Sequence, residues 1–174
     1  MKQKATILDE TAISRAIARI SYEILEKNKG TKDLCIVGIV YGGCEIAKRI
    51  AKKIFEVENI NVPVGFLDIT KYRDDIKELA TCDKTEISFD ITNKTVILVD
   101  DVLFTGRSVR AAIDALIERG RPQKIQLATL IDRGHRELPI RADFIGKNVP
   151  TSKSEIVNVC FKETDGADSV SSWE

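Results

Sequence analysis

The sequence predicts an α/β protein with a mostly parallel central sheet flanked by helices, and four stretches carry that prediction. "DLCIVGIVYGG" is a β-branched run that ends in a diglycine, and Ile46, Ala47, Ile50, Ala51 and Ile54 follow it at helical spacing. "VILVDDVLFTGRSVRAA" repeats that order: an apolar run, a small-residue loop, then Val109, Ala112, Ile113 and Leu116 on one helical face. Further on, "KIQLATLID" and "EIVNVCF" are two more runs of strand length. Strands that alternate with helices call for a parallel sheet covered on both faces.

The remaining elements follow in chain order. "MKQKATILDE" lacks the apolar core of a signal peptide, and no run is long enough to cross a bilayer, so no membrane partner is expected. From Asp9, a suitable N-cap, Ile13, Ile17, Ile20 and Ile24 form the apolar stripe of a first helix that should end near "NKG". "VPVGFLDIT" reads as a strand. Residues 71–90, "KYRDDIKELATCDKTEISFD", follow neither period and form a long excursion, either a mobile arm or an ordinary exposed hairpin. "RGRP" closes the helix that begins near Arg107, "ADFIG" adds a short strand, and "GADSVSSWE" is expected to be loosely attached.

Composition bounds the setting. With 174 residues, 43% of them hydrophobic, the chain can bury one core, and residues 1–174 are expected to form one domain. The formal net charge is zero and the pI about 6.6, so attraction to nucleic acid must come from a local patch. Cys35, Cys44, Cys82 and Cys160 form no C-x-x-C pair and no metal-type spacing with the single histidine, His135. That excludes a recognisable zinc site, and free thiols suit a cytoplasmic location.

The chemistry concentrates at Asp100 and Asp101. An unpaired charge taken out of water is costly, so these acids either sit in solvent at a strand's end or hold something. In open α/β sheets ligands bind beyond the carboxyl ends of the strands. After the three larger residues Val102, Leu103 and Phe104 comes Thr105-Gly106-Arg107-Ser108 at a helix start, where glycine admits close backbone approach, hydroxyls donate, and exposed N–H groups favour phosphate. Acids for sugar hydroxyls beside a loop for phosphate fit a sugar phosphate. Turn chemistry and solvated caps would explain the bare dipeptide equally well, but the whole combination is more specific than that.

"VILVDDVLFTGRS" resembles the phosphoribosyl pyrophosphate (PRPP) motif of type I phosphoribosyltransferases. "ILDETAI", "DITKYRDD" and "LIDRGHRELPIRADFIGKNVPTSKSE" resemble the pyrimidine-operon attenuation regulators within that superfamily, and the resemblance spans nearly the whole chain. It implies that Asp100 and Asp101 bind ribose hydroxyls, that the loop through Ser108 holds the 5-phosphate, and that uracil and PRPP yield UMP and pyrophosphate. It also implies Mg²⁺ held through substrate and water without a protein cage, and a flexible hood over the site within residues 71–90. Tyr72 and Arg73 would make contacts on closure, and Asp132 and Arg133 are candidates for the base.

The same resemblance implies a pyrimidine-operon messenger RNA loop as partner, bound more strongly with UMP, and assembly as a homodimer or higher oligomer. The RNA candidates are Arg19, His135, Arg136, Arg141 and Lys147. Their charges otherwise form a solvated face or a subunit contact. Ala18, Tyr22 and Lys27 stand where the resembled pattern has Thr, His and Arg. Tyr41-Gly42-Gly43 stands where it has a Thr-Arg-Gly loop for pyrophosphate, and losing one charge contact to a transition state can cost about two to three powers of ten in rate. Three functions therefore stay open: a uracil phosphoribosyltransferase that also attenuates transcription, a salvage enzyme without RNA regulation, and a nucleotide sensor with weakened catalysis.

Overall fold

The computed structural model describes residues 1–75 and 82–174. The elements in order are β1 (Gln3–Leu8), α1 (Glu10–Asn28), β2 (Leu34–Ile39), α2 (Cys44–Glu58), β3 (Val64–Leu67), a 3-10 turn (Thr70–Tyr72) and β4 (Thr95–Leu103). Then come α3 (Arg107–Arg119), β5 (Lys124–Asp132), β6 (Phe144–Asn148), β7 (Ile156–Cys160), α4 (Lys162–Asp165) and β8 (Ser169–Trp173). Five strands form a parallel sheet in the order β3-β2-β4-β5-β6, and β1-β8-β7 form a small antiparallel sheet.

Burial on both faces explains why the central strands read as unbroken apolar runs. In β2, Leu34 and Ile36 pack into the core that holds α1 and α2, while Cys35, Val37 and Ile39 face the core that holds α3. β4 alternates in the same way, with Ile97 and Val99 to one side and Val96 and Leu98 to the other. The α1 stripe lands on the first core as its spacing predicts, and Asp9 caps the helix by accepting the Ala12 N–H at 2.8 Å. Lys29 ends that helix in the left-handed region, and the Gly30 N–H returns to the Leu25 carbonyl at 2.9 Å.

Two expectations need correction. The tail "GADSVSSWE" is not loose: β8 is the middle strand of the small sheet, with Val170, Ser171 and Ser172 buried. Its partner β1 occupies the N-terminal stretch, which carries no strand pattern because its first residues are exposed and polar. The acidic pair also does not mark the end of β4. The strand runs on to Leu103, and Asp100 is buried within it opposite Thr129 of β5.

What positions the site is how β4 outruns its neighbour. β2 pairs with β4 only as far as Gly38 opposite Val99, whereas β5 stays paired with it to Asp132 opposite Leu103. From Asp100 onward β4 therefore has one free edge, at the place where connections to β3 leave one way and connections to β5 and β6 leave the other. That is the crevice in which an open parallel sheet receives its ligand.

Candidate active site

Two adjoining cavities open at this crevice, of about 350 and 390 Å³, and they share Arg73, Asp100, Val102 and Ser108. The first follows the loop after β4 and is lined by Leu103, Phe104, Thr105, Gly106 and Arg107. Gly106 is the residue before α3 and has φ +93°, a conformation that side-chain-bearing residues rarely adopt. Thr105 accepts the Arg107 N–H at 3.3 Å, which tightens the turn into the helix.

The second cavity lies between the ends of β2 and β4 and includes Tyr41, Asp68, Lys84 and Asp101. Gly42 and Gly43 are there because the loop presses against β4. A Cβ on Gly43 would stand 2.0 Å from the Val99 carbonyl oxygen, and one on Gly42 would meet the Asp101 carboxylate at 2.5–2.6 Å. The diglycine thus has a packing reason, and it leaves Tyr41 exposed at the cavity's rim.

Asp100 is electrostatically unsettled. Burial, and then the neighbouring charge of Asp101, push the Asp100 carboxyl well above the ordinary aspartate value. Asp100 accepts the Asp101 N–H at 3.0 Å and Asp101 accepts the Val102 N–H at 2.7 Å, but among the described residues neither forms an ion pair. Positive groups or hydroxyl donors from a ligand would relieve Asp100.

Residues 73–75 lie against the loop after β4. Arg73 holds Asp75 with two nitrogens, at 2.8 and 2.6 Å, and reaches the Ser108 hydroxyl at 2.9 Å. Arg107 turns outward to Asp74 and Glu137, both at 2.8 Å, so its backbone faces the cavity while its guanidinium ties down the rim. Tyr72 donates its hydroxyl to Glu118 on α3. The expected hood falls partly outside the described residues, at 76–81; its returning limb pairs with β3 through Phe66 and Glu86 at 2.8 and 2.9 Å.

The segment after β5 buttresses the loop from behind. Arg136 donates to the Phe104 carbonyl at 2.9 Å, the Ile140 carbonyl at 2.8 Å and the Asp132 carboxylate at 2.5 Å. Arg133 is buried, stacks over the Phe104 ring with its guanidinium carbon 4.1 Å from the centroid, and bonds to Thr151 and Ser152. His135 meets the same ring edge-on and contacts the Thr151 carbonyl. Asp132 also accepts the Gly134 N–H. These side chains all have protein partners, and Asp132, Arg133, His135 and Arg136 line a concavity of about 410 Å³.

The structure separates Arg19 and Lys147 from that group. They line a groove of about 490 Å³ between α1 and β6, with Arg15, which the sequence reading did not single out. Arg19 bonds to the Ile145 and Gly146 carbonyls and to Glu23, and Arg141 is exposed. Sequence reasoning also missed Asp68, Glu137 and Lys84. Each gains its place by tertiary contact, and no local pattern announces it.

The phosphoribosyl transferase domain family matches residues 3–164, which takes in the whole parallel sheet and all of the small sheet but β8. The chain belongs to that family. Among its relatives are the bifunctional protein PyrR of Acetivibrio thermocellus, 59% identical over 173 residues (98% of this chain and 94% of that protein), and that of Deinococcus deserti, 55% identical over 174 residues (98% and 95%). The hypoxanthine phosphoribosyltransferase structure of Trypanosoma cruzi superimposes with a TM-score of 0.75 at 17% identity, covering 98% of this chain and 96% of that one. At that identity the likeness speaks for the type I phosphoribosyltransferase fold. Within that fold, the loop after β4 and the acidic pair occupy the crevice just described.

Proposed function

We propose that the protein transfers the phosphoribosyl group of PRPP to uracil, giving UMP and pyrophosphate, and that it regulates pyrimidine genes by binding their messenger RNA in a uridine-nucleotide-dependent way. The observation that carries the reading is two adjoining cavities, the Thr105–Ser108 loop lining one and the half-buried Asp101 the other, with the buried Asp100 shared between them and neither acid in an ion pair among the described residues. The chain's likeness over nearly its full length to proteins named bifunctional supports the second activity.

On this reading the N–H groups of Thr105 to Ser108 and their hydroxyls hold the 5-phosphate, and Asp100 and Asp101 accept hydrogen bonds from the ribose hydroxyls. The sugar carbon then lies between the two cavities. Its bond to the pyrophosphate oxygen breaks as the uracil nitrogen closes on it, and the nitrogen's proton is lost. Positive charge builds on the sugar ring on the way, as in other glycosyl transfers, and the acidic pair faces that charge.

Mg²⁺ fits the donor set. Among the described residues no cluster of three or more His, Cys, Asp or Glu is arranged to hold a metal, but two adjacent carboxylates and substrate oxygens suit a cation that keeps its waters. Asp100 and Asp101 would hold it, and it would neutralise the leaving pyrophosphate. For RNA, Arg15, Arg19 and Lys147 offer a basic groove on the first helix, His135 and Arg136 line a second concavity, and Arg141 adds an exposed charge. The reading places the protein in the cytoplasm, where both substrates and nascent messenger RNA are found.

The test is to supply uracil, PRPP and Mg²⁺ and follow UMP, with the Asp100→Asn/Asp101→Asn variant as blank, then to titrate pyrimidine-operon leader RNA with and without UMP. Turnover at least about a hundredfold above the blank, and RNA binding that UMP strengthens and salt weakens, are expected. Turnover with no RNA binding leaves a salvage enzyme; UMP-dependent RNA binding with no turnover leaves a sensor.

A further inference from the structure

We propose that Lys84 holds the pyrophosphate group of the donor and that Tyr41 positions it, so that a lysine from the excursion takes the place of an arginine in the loop after β2. The inference rests on the phosphoribosyl transfer reading above.

Charge in the second cavity leads to it. Three carboxylates, Asp68, Asp100 and Asp101, face this space, against two cations, Arg73 and Lys84. A pyrophosphate carries several negative charges of its own, and Mg²⁺ at Asp100 and Asp101 would offset only part of them, so a cation of the protein is needed to face the rest. Arg73 is already engaged by both oxygens of Asp75 and by Ser108. Lys84 is not: among the described residues its ammonium forms no ion pair, and its one side-chain hydrogen bond goes to the Tyr41 hydroxyl.

Lys84 is also held in place. Its backbone N–H donates to Asp68 Oδ2 at 3.1 Å, the Asp68 N–H donates to the Thr85 hydroxyl at 3.0 Å, and Phe66 and Glu86 close the ladder next to them. Asp68 is fixed in turn by the Thr70 N–H at 3.0 Å and the Thr70 hydroxyl at 2.6 Å. The lysine therefore stands on the part of the excursion that is hydrogen-bonded to the residue after β3.

Tyr41 does the aiming. The ammonium lies 4.7 Å from the centre of its ring and bonds to its hydroxyl, so one aromatic side chain both attracts the cation and sets its direction. The diglycine that follows draws the loop against β4, which leaves the ring at the cavity's rim. Lysine brings a compact charge where arginine would bring a planar fork, so the site keeps the attraction and gives up bidentate geometry. Donor affinity is the quantity most exposed to that exchange.

The experiment measures pyrophosphate, PRPP and UMP affinities by calorimetry, with steady-state KM and kcat, for the wild type and for Lys84→Ala, Lys84→Arg and Tyr41→Ala. Lys84→Ala is expected to weaken pyrophosphate and PRPP about ten- to a hundredfold, the usual loss of a charge-assisted contact, and to spare UMP, which has no pyrophosphate. Lys84→Arg should restore most of the affinity, and Tyr41→Ala should cost a few-fold in KM for PRPP. Unchanged pyrophosphate affinity in Lys84→Ala overturns the inference, as does an equal loss of UMP, which would mark a merely structural residue. Pyrophosphate binding that depends on Lys84, in a wild type that makes no UMP, upholds it and overturns the transfer reading instead. A wild type that binds neither PRPP nor pyrophosphate overturns both.

Discussion

Asp100 and Asp168 are both carboxylates held largely out of water, and their surroundings treat them in opposite ways. Asp168 receives two nitrogens of Arg49, at 2.7 and 2.8 Å, and the Lys162 N–H at 2.7 Å, and that arginine, which also grips Glu163, holds its carboxyl below the ordinary value despite burial. Asp100 receives one backbone N–H and faces a second acid, and burial raises its carboxyl. The first acid is part of the framework that ties α2 to the approach to β8. The second is kept without a partner, as a group must be if a ligand is to supply one. The difference between the two acids lies in whether the counter-charge comes with the chain.

Substitutions can break that contrast. The largest expected effect is at the framework: Asp168→Ala leaves Arg49 without its main partner and should lower unfolding stability by about 3 kcal/mol, read from chemical denaturation, while folded protein keeps its UMP affinity. Full stability in that variant would mean that the clamp is ornamental. A smaller effect of opposite sign is expected at the site. Asp100→Asn removes a charge that the empty fold disfavours, and should raise the melting temperature by roughly 2–4 °C, the shift that about 1 kcal/mol gives in a chain of this size, even as ribose binding is lost.

Acidity sharpens the comparison. Because the folded value of Asp100 lies above the unfolded 3.8, its favourable contribution is complete below 3.8 and is lost as pH rises through the folded value. The advantage of Asp100→Asn should therefore be seen near neutrality and vanish in acid. The contribution of Asp168 runs the other way: it is present above 3.8 and lost as pH falls through its lower folded value. Thermal melts of both variants across pH check the two signs. The smallest effect is reserved for an exposed pair, Lys27 with Asp143 at 3.0 Å, where Lys27→Ala should change stability by less than about 1 kcal/mol in the same melts.

What could be read from the sequence divides along similar lines. The parallel sheet was legible because strands buried on both faces need unbroken β-branched runs, as "CIVGIV" and "VILV" show. The turn into α3 was legible because its signals are local: a glycine with positive φ, hydroxyls and a helix start lie within four residues. The small sheet was not. "SVSSW" buries serines that read as linker, and β1 shows four exposed residues before its first buried one. Lys84 was equally hidden, since its meaning depends on Tyr41, 43 positions earlier, in a stretch without periodicity. The packing reason for Gly42 and Gly43 likewise depends on how closely β4 passes.

The pairing of β1 with β8 also bears on how the protein comes into being. Lys2 and Glu174 exchange backbone hydrogen bonds at 2.9 and 3.0 Å, so β1 finds its partner only when β8, more than 160 residues further on, has emerged from the ribosome. Until then the parallel sheet can assemble from its neighbours in sequence, but β1 waits with its edge unsatisfied through the synthesis of everything between. A ribosome that stalls short of Ser169 would hold a chain with the crevice residues already made and the small sheet unable to close, a species for chaperones and proteases to recognise.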